Sequence, residues 1–274
     1  MSIICCISST PMLYWKKFPR EGLAMGRNFT TLMERPENGN VIASLIYEFL
    51  AFYTLPFLLL LVFNGTYRSI ETAALMEIGY HVCNFAVAVF IYKEYLTDTF
   101  ADIRYHYKKL LKASAQSIEL ILLIALALFF SLGFGNVLAA IGSLPLAEVD
   151  LLILPSSMIM TRPLLGVFCM VVLTPVAISC LFYASVFAPI CYTRPVLAYL
   201  AMAAFLAFPR YCNAATFWEP SGQWILYFTQ LPVHLLACRS YQKADSIWAP
   251  ILTLSVVNAI ACVLLFAGRF LGFL

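Results

Sequence analysis

The sequence has 274 residues, of which 62% are hydrophobic and 11% are charged, and its mean hydropathy is +0.87. This composition is far more apolar than that of a soluble globular domain, so it excludes a soluble enzyme and predicts a membrane protein. The net charge is only +3. The basic residues adjoin apolar segments without regularly interleaved aromatic residues, a pattern that argues against nucleic-acid binding.

Apolar segments long enough to cross a hydrocarbon layer of about 30 Å recur along the chain. They predict an all-α, polytopic transmembrane helical bundle of about seven spans, within a range of roughly six to eight because two spans are short. Residues 1–40 are predicted to form a poorly ordered cytoplasmic segment, and residues 41–274 a single transmembrane domain. The predicted spans are 41–64, 72–92, 118–142, 164–190, 195–210, 222–238 and 246–267.

The orientation follows from the distribution of Lys and Arg. A seven-span arrangement with a cytoplasmic N-terminus places 13 of the 17 positive charges on the inner side. Because inner loops carry an excess of Lys and Arg, this asymmetry predicts that orientation. We expect the protein to lie in the plasma (cytoplasmic) membrane of a bacterium.

The connection between the second and third spans has its own pattern. Its apolar residues recur at helical spacing, and its charged residues lie mostly elsewhere around the helix. The pattern predicts an interfacial amphipathic helix near residues 95–115, whose basic end favours an anionic inner leaflet. The apolar positions are Leu96, Phe100, Ile103, Tyr107, Leu110 and Leu111.

Ionisable or amide side chains inside spans are candidates for function, because they are expensive to bury in lipid. Glu77, His81 and Asn84 are spaced i, i+4 and i+7 and therefore share one face of the second span. Such a stripe could hold a metal, relay a proton or position a nucleophilic water. It could equally be a hydrogen-bonded clamp between helices. Glu48 and His234 are further polar candidates for a cavity.

The stretch "YQKADSIWAPILTLSVVNAIACVLLF" resembles the last motif helix of the CPBP family, the intramembrane proteases that include the type II CAAX prenyl protease. The family pattern is S-I-x-A-P-I-L-x-H-x-x-x-N, and Leu254 stands where the family has histidine. The small residues and the proline allow a helix to start at the membrane face. The matching positions are Ser246, Ile247, Ala249, Pro250, Ile251, Leu252 and Asn258.

A second stretch, "SVFAPICYTRPVL", is similar to the family pattern A-P-I-x-E-E-x-x-x-R. The A-P-I part matches, but Tyr192 and Thr193 occupy the glutamate positions and Leu197 occupies the arginine position. The family's F-x-x-x-H motif does not occur between residues 195 and 245. In this resemblance the general base is therefore missing.

The resemblance implies a CPBP-like C-terminal part in a catalytically degenerate protein that binds a partner, a peptide or a lipid. Asn258 would then be a hydrogen-bonding residue of the cavity. Two alternatives stay open: an active peptidase with a relocated site, in which Glu77 is the base and His81 the electrophile or metal ligand, and a small proton-coupled transporter that uses Glu48 and Glu77.

The candidate catalytic residues are thus Glu77, His81 and Asn258, and the sequence assigns a catalytic role to none of them. No cofactor is predicted, and bound zinc is expected only if Glu77 and His81 form a site. The expected partners are membrane lipids and either another membrane protein or a peptide substrate, and no nucleic acid.

Overall fold

The computed structural model describes residues 36–48, 50, 70–141, 156–191, 193–212 and 220–270. These residues are helical and contain no strand, as the apolar composition predicts, because a helix satisfies its backbone hydrogen bonds within one segment. The helices are α1 (residues 38–48), α2 (Ile70–Ile141), α3 (Ser156–Thr161), α4 (Pro163–Cys191), α5 (Pro195–Cys212), α6 (Pro220–Ala244) and α7 (Trp248–Phe270).

Within the described ranges, three helical segments are long and apolar enough to cross a membrane: Ala74–Phe100, Pro163–Cys191 and Trp248–Ala267. They coincide with the second, fourth and seventh predicted spans. A shorter apolar helix, Pro195–Leu206, coincides with the fifth. The described part of the chain is thus helical with three candidate membrane spans, while the total of seven spans stays a prediction. Residues 1–35, most of the predicted N-terminal segment, lie outside the described residues.

Helix α2 is much longer than a membrane span. A straight helix of 72 residues would extend about 110 Å, several times the thickness of the hydrocarbon layer. The helix is interrupted at Tyr92, where φ is −103° and ψ is 16°. There Ser44 of α1 donates a hydrogen bond of 3.0 Å to the Tyr92 hydroxyl. Residues 95–115, predicted as an interfacial helix, lie beyond this bend as a continuous part of α2.

Helix α4 is the most enclosed of the three candidate spans. Of its most apolar window, 56% is buried inside the protein, against 22% for Ala74–Phe100. Two stretches of α4, Cys169–Leu173 and Ser179–Phe187, are π-helical, so their backbone bonds run one residue further back than in an α-helix. In these two stretches the backbone carbonyl groups are consequently not paired in the usual α-helical register. The candidate site described below lies at the first of them.

A tight turn joins α6 to α7. Asp245 has a φ of 56°, in the left-handed region, which Asp tolerates better than most residues. Ser246 Oγ then accepts a hydrogen bond of 3.3 Å from the Trp248 backbone N–H, one of the donors that a helix start leaves unpaired. Pro250 follows within the first turn, where its missing N–H has no consequence.

Candidate functional site

In the first π-helical stretch of α4, the backbone register directs one carbonyl toward a proline. The Thr174 N–H bonds to the Cys169 carbonyl, five residues back. The same register assigns the next carbonyl, that of Met170, to residue 175, which is a proline and has no N–H. Because Met170 is only 7% exposed, its carbonyl needs another donor, as an unpaired backbone group in an apolar interior is costly.

Asn258 supplies that donor. It lies in the middle of α7, and its Nδ2 donates to the Met170 carbonyl at 2.7 Å, across 88 residues of sequence. The amide therefore joins α7 to α4 at the turn where Pro175 breaks the hydrogen-bond ladder. This contact explains why an otherwise apolar helix carries one asparagine.

His81 of α2 reaches the same turn of α4. Its Nδ1 is 3.0 Å from Thr174 Oγ1, and the Thr174 hydroxyl donates to the Cys169 carbonyl at 2.9 Å. A hydroxyl can donate one hydrogen bond and accept others, so Thr174 can be bonded to both groups at once. His81 is thereby held through Thr174 to the backbone of α4.

These contacts form one unit, which we call the α4 clamp: His81, Met170, Thr174, Pro175 and Asn258. It links α2, α4 and α7 through polar groups that are partly buried, beside a cluster of buried apolar side chains. The surrounding buried residues are Ala74, Ile78, Met158, Ile159, Cys169, Leu173, Cys262 and Leu265.

The predicted stripe on α2 divides between two neighbours. Whereas His81 contacts α4, Asn84 contacts α1, because the Tyr47 hydroxyl donates to Asn84 Oδ1 at 2.6 Å. Glu48 follows Tyr47 in α1 and is partly buried, as is Glu77, one turn before His81. The stripe thus contributes to two separate contacts between helices.

His234 belongs to a third environment. Its Nδ1 is hydrogen-bonded to the Tyr183 hydroxyl at 2.7 Å, and the two rings meet edge to face. Tyr183 is fully buried in the second π-helical stretch. It is part of a group that we call the aromatic core: Tyr92, Tyr95, Tyr183, Phe187, Tyr199 and Tyr241.

Sequence reasoning missed three important residues. Thr174 and Pro175 of the α4 clamp carried a usable signal, because a proline inside an apolar span removes a backbone bond and requires a replacement donor. Tyr183 carried no such signal, since a tyrosine inside a span is also an ordinary packing residue. Its pairing with His234 is visible only in the fold.

The positions that correspond to the CPBP catalytic motifs have no groups suited to activating water. Leu254 is 3% exposed and packs in the apolar core of the bundle. Thr193 is exposed just beyond the end of α4, where its hydroxyl donates to the Ile190 carbonyl at 3.3 Å. Tyr192 lies outside the described residues. Among the described side chains, no three His, Cys, Asp or Glu residues are grouped to hold a metal ion. A zinc site at Glu77 and His81 stays a prediction.

No family model, curated protein or solved structure matches this chain. The likeness to the CPBP family therefore depends on the residues quoted above.

Proposed function

We propose that the protein is a CPBP-like integral membrane protein that binds a partner, a peptide or a lipid within the bilayer and does not cleave it. The observation that carries this proposal is the hydrogen bond from Asn258 to the Met170 carbonyl. The proposed location of the protein is the cytoplasmic membrane of a bacterium. The N-terminus is placed inside because Lys and Arg are more frequent in the segments on that side.

The donor capacity of the Asn258 amide is partly used within the protein itself. A peptidase needs donors directed at the place where negative charge develops on the substrate carbonyl. One N–H of the Asn258 amide instead donates to the protein's own backbone at 2.7 Å, and a buried leucine replaces the histidine one turn earlier. With no glutamate at positions 192 and 193, the motif also lacks a general base for water.

The surface for binding is the outward face of α2. Only 22% of the most apolar window of Ala74–Phe100 is buried by the described residues, and Phe90 is 84% exposed. In a membrane protein such a face contacts lipid acyl chains or the helices of another protein. It therefore suits a partner that lies within the bilayer.

The proposal is tested with the full chain reconstituted in lipid nanodiscs. A prenylated peptide is incubated with the wild type and with Glu77→Gln, and the zinc content is measured by elemental analysis. We expect no cleavage by either form and no stoichiometric zinc. Cleavage by the wild type that is lost in Glu77→Gln would overturn the proposal.

A relocated peptidase is the second candidate, and one observation favours it: His81 and Asn258 reach the same turn of α4 from different helices. In that mechanism Glu77 would be the base, and His81 the electrophile or metal ligand. The same experiment separates the two candidates, because only the peptidase requires Glu77 for cleavage.

A further inference from the structure

The middle of α2 and the end of α6 contact each other through polar side chains. Lys243 Nζ donates to Gln116 Oε1 at 2.8 Å. Lys112 precedes Gln116 by one turn on the same face of α2 and is exposed. Since side chains four residues apart on a helix are neighbours, Lys112 lies beside Gln116, to which Lys243 bonds.

The charges around this contact are not balanced. Lys109 forms an ion pair of 2.9 Å with Asp245, whereas Lys243 bonds to a neutral amide that leaves its charge uncompensated. Glu119, three residues after Gln116, adds a carboxylate to this part of α2. We call the exposed cations of this region the basic surface: Lys108, Lys109, Lys112, Arg239 and Lys243.

The basic surface adjoins the start of an apolar span. Trp248 begins the candidate span Trp248–Ala267, its Nε1 donates to Thr99 Oγ1 at 3.1 Å, and its ring meets Phe100 edge to face. Tryptophan is enriched at the level of the lipid headgroups, where one end of its ring is apolar and the other polar. The basic surface is therefore at the level of the headgroups, next to a small apolar cluster that includes Leu110 and Ala249.

We propose that the basic surface binds the headgroup of an anionic phospholipid, with Lys112 of α2 and Lys243 of α6 holding its phosphate. Lysines act as point charges toward phosphate, and basic pockets between membrane helices suit anionic headgroups. A lipid fits better than a soluble anion because the surface borders a span, so that the acyl chains can lie along the apolar helices. This site depends on the membrane location of the chain and not on the proposed role of Asn258 or α2.

The experiment is a titration of phosphatidylglycerol into the detergent-solubilised full chain, followed by native mass spectrometry, with phosphatidylcholine as the neutral comparison. We expect the wild type to retain phosphatidylglycerol preferentially. Lys112→Gln and Lys243→Gln each weaken its apparent affinity by about fivefold, the effect of one lysine near an anionic headgroup. Lys243→Arg keeps the affinity, because the charge remains.

Lys93→Gln is the matched control, since Lys93 is an exposed lysine of the same helix outside the basic surface, and its loss changes the net charge equally. We expect it to bind like the wild type. An equal loss in Lys93→Gln and Lys112→Gln, or equal retention of the two lipids, would overturn the proposal. Displacement of the lipid by millimolar inorganic phosphate would identify a soluble-anion site and would also overturn it. The thermal unfolding temperature of each variant checks that it is folded.

Discussion

The two π-helical stretches of α4 are stabilised in different ways. In the first, Cys169–Leu173, a proline removes a backbone donor, and polar side chains from α2 and α7 complete the hydrogen bonding. In the second, Ser179–Phe187, Pro189 stands at the equivalent position, and eight of the nine residues of the stretch are buried. Phe182, Tyr183 and Phe187 of this stretch meet neighbouring rings edge to face, and the Tyr183 hydroxyl is hydrogen-bonded to His234 Nδ1.

The comparison separates two destabilising effects of an irregular helix: an unpaired backbone group and unfilled volume around a widened turn. A missing backbone partner requires a donor at one position, and a single amide satisfies it. A widened helical turn requires volume to be filled around it, and large side chains do so. The first stretch should therefore be sensitive to the loss of polar atoms, and the second to the loss of ring volume.

The largest effect is expected in the aromatic core. Phe187→Ala removes a fully buried ring that meets Tyr199 and Tyr241 edge to face. We expect it to lower the free energy of unfolding in detergent by about 3–5 kcal/mol, because it creates a cavity. Phe90→Ala is the control, since Phe90 is 84% exposed and leaves no cavity. Similar losses in the two variants would contradict the aromatic-core interpretation.

Asn258→Leu should have the next largest effect. It removes the donor to the Met170 carbonyl while preserving most of the side-chain volume. We expect a loss of about 1–2 kcal/mol in the free energy of unfolding, because a buried carbonyl is left unpaired. The measurement is a denaturation curve in detergent.

Pro175→Ala sharpens this test. Alanine restores an N–H at the position that the π-helical register assigns to the Met170 carbonyl. Asn258→Leu should therefore destabilise the Pro175→Ala protein less than it destabilises the wild type. If the two substitutions are additive, so that the double-mutant cycle shows no coupling, Asn258 does not replace the missing donor.

Thr174→Val should have a smaller effect. It removes the hydroxyl between His81 and the Cys169 carbonyl but keeps the β-branched shape. We expect a loss of about 0.6 kcal/mol, the average for a hydrogen bond between membrane helices. Thr174→Ser keeps the hydroxyl and should retain most of the stability. A serine variant as unstable as the valine variant would assign the effect to packing of the methyl group.

The smallest effect is expected outside both stretches. Lys109→Gln breaks the ion pair with Asp245, whose side chains are 45% and 26% exposed. An ion pair this open to water contributes about 0–1 kcal/mol, so the unfolding curve should hardly move. A loss comparable to that of Asn258→Leu would mean that the turn between α6 and α7 depends on this pair.

The helical periodicity of α2 predicted a shared face for Glu77, His81 and Asn84, but could not predict their contacts. The face is wide enough to meet two neighbours, so His81 pairs with Thr174 of α4 and Asn84 with Tyr47 of α1. Periodicity is a property of one helix, whereas the acceptor of each polar group depends on which helix packs beside it. The sequence left open whether this stripe reaches Asn258; in the structure His81 and Asn258 contact the same turn of α4.

The amino-acid sequence by itself determined that the described residues are mostly helical, with segments long and apolar enough to cross a membrane, because a run of about 20 apolar residues matches the thickness of the hydrocarbon layer. It also determined where α7 begins, through Ser246 and Pro250, since these signals act within one turn. Only the tertiary structure decided that Asn258 meets the Met170 carbonyl, 88 residues away. That pairing depends on the packing of α7 against a π-helical turn, and no local pattern encodes the distance between two helices.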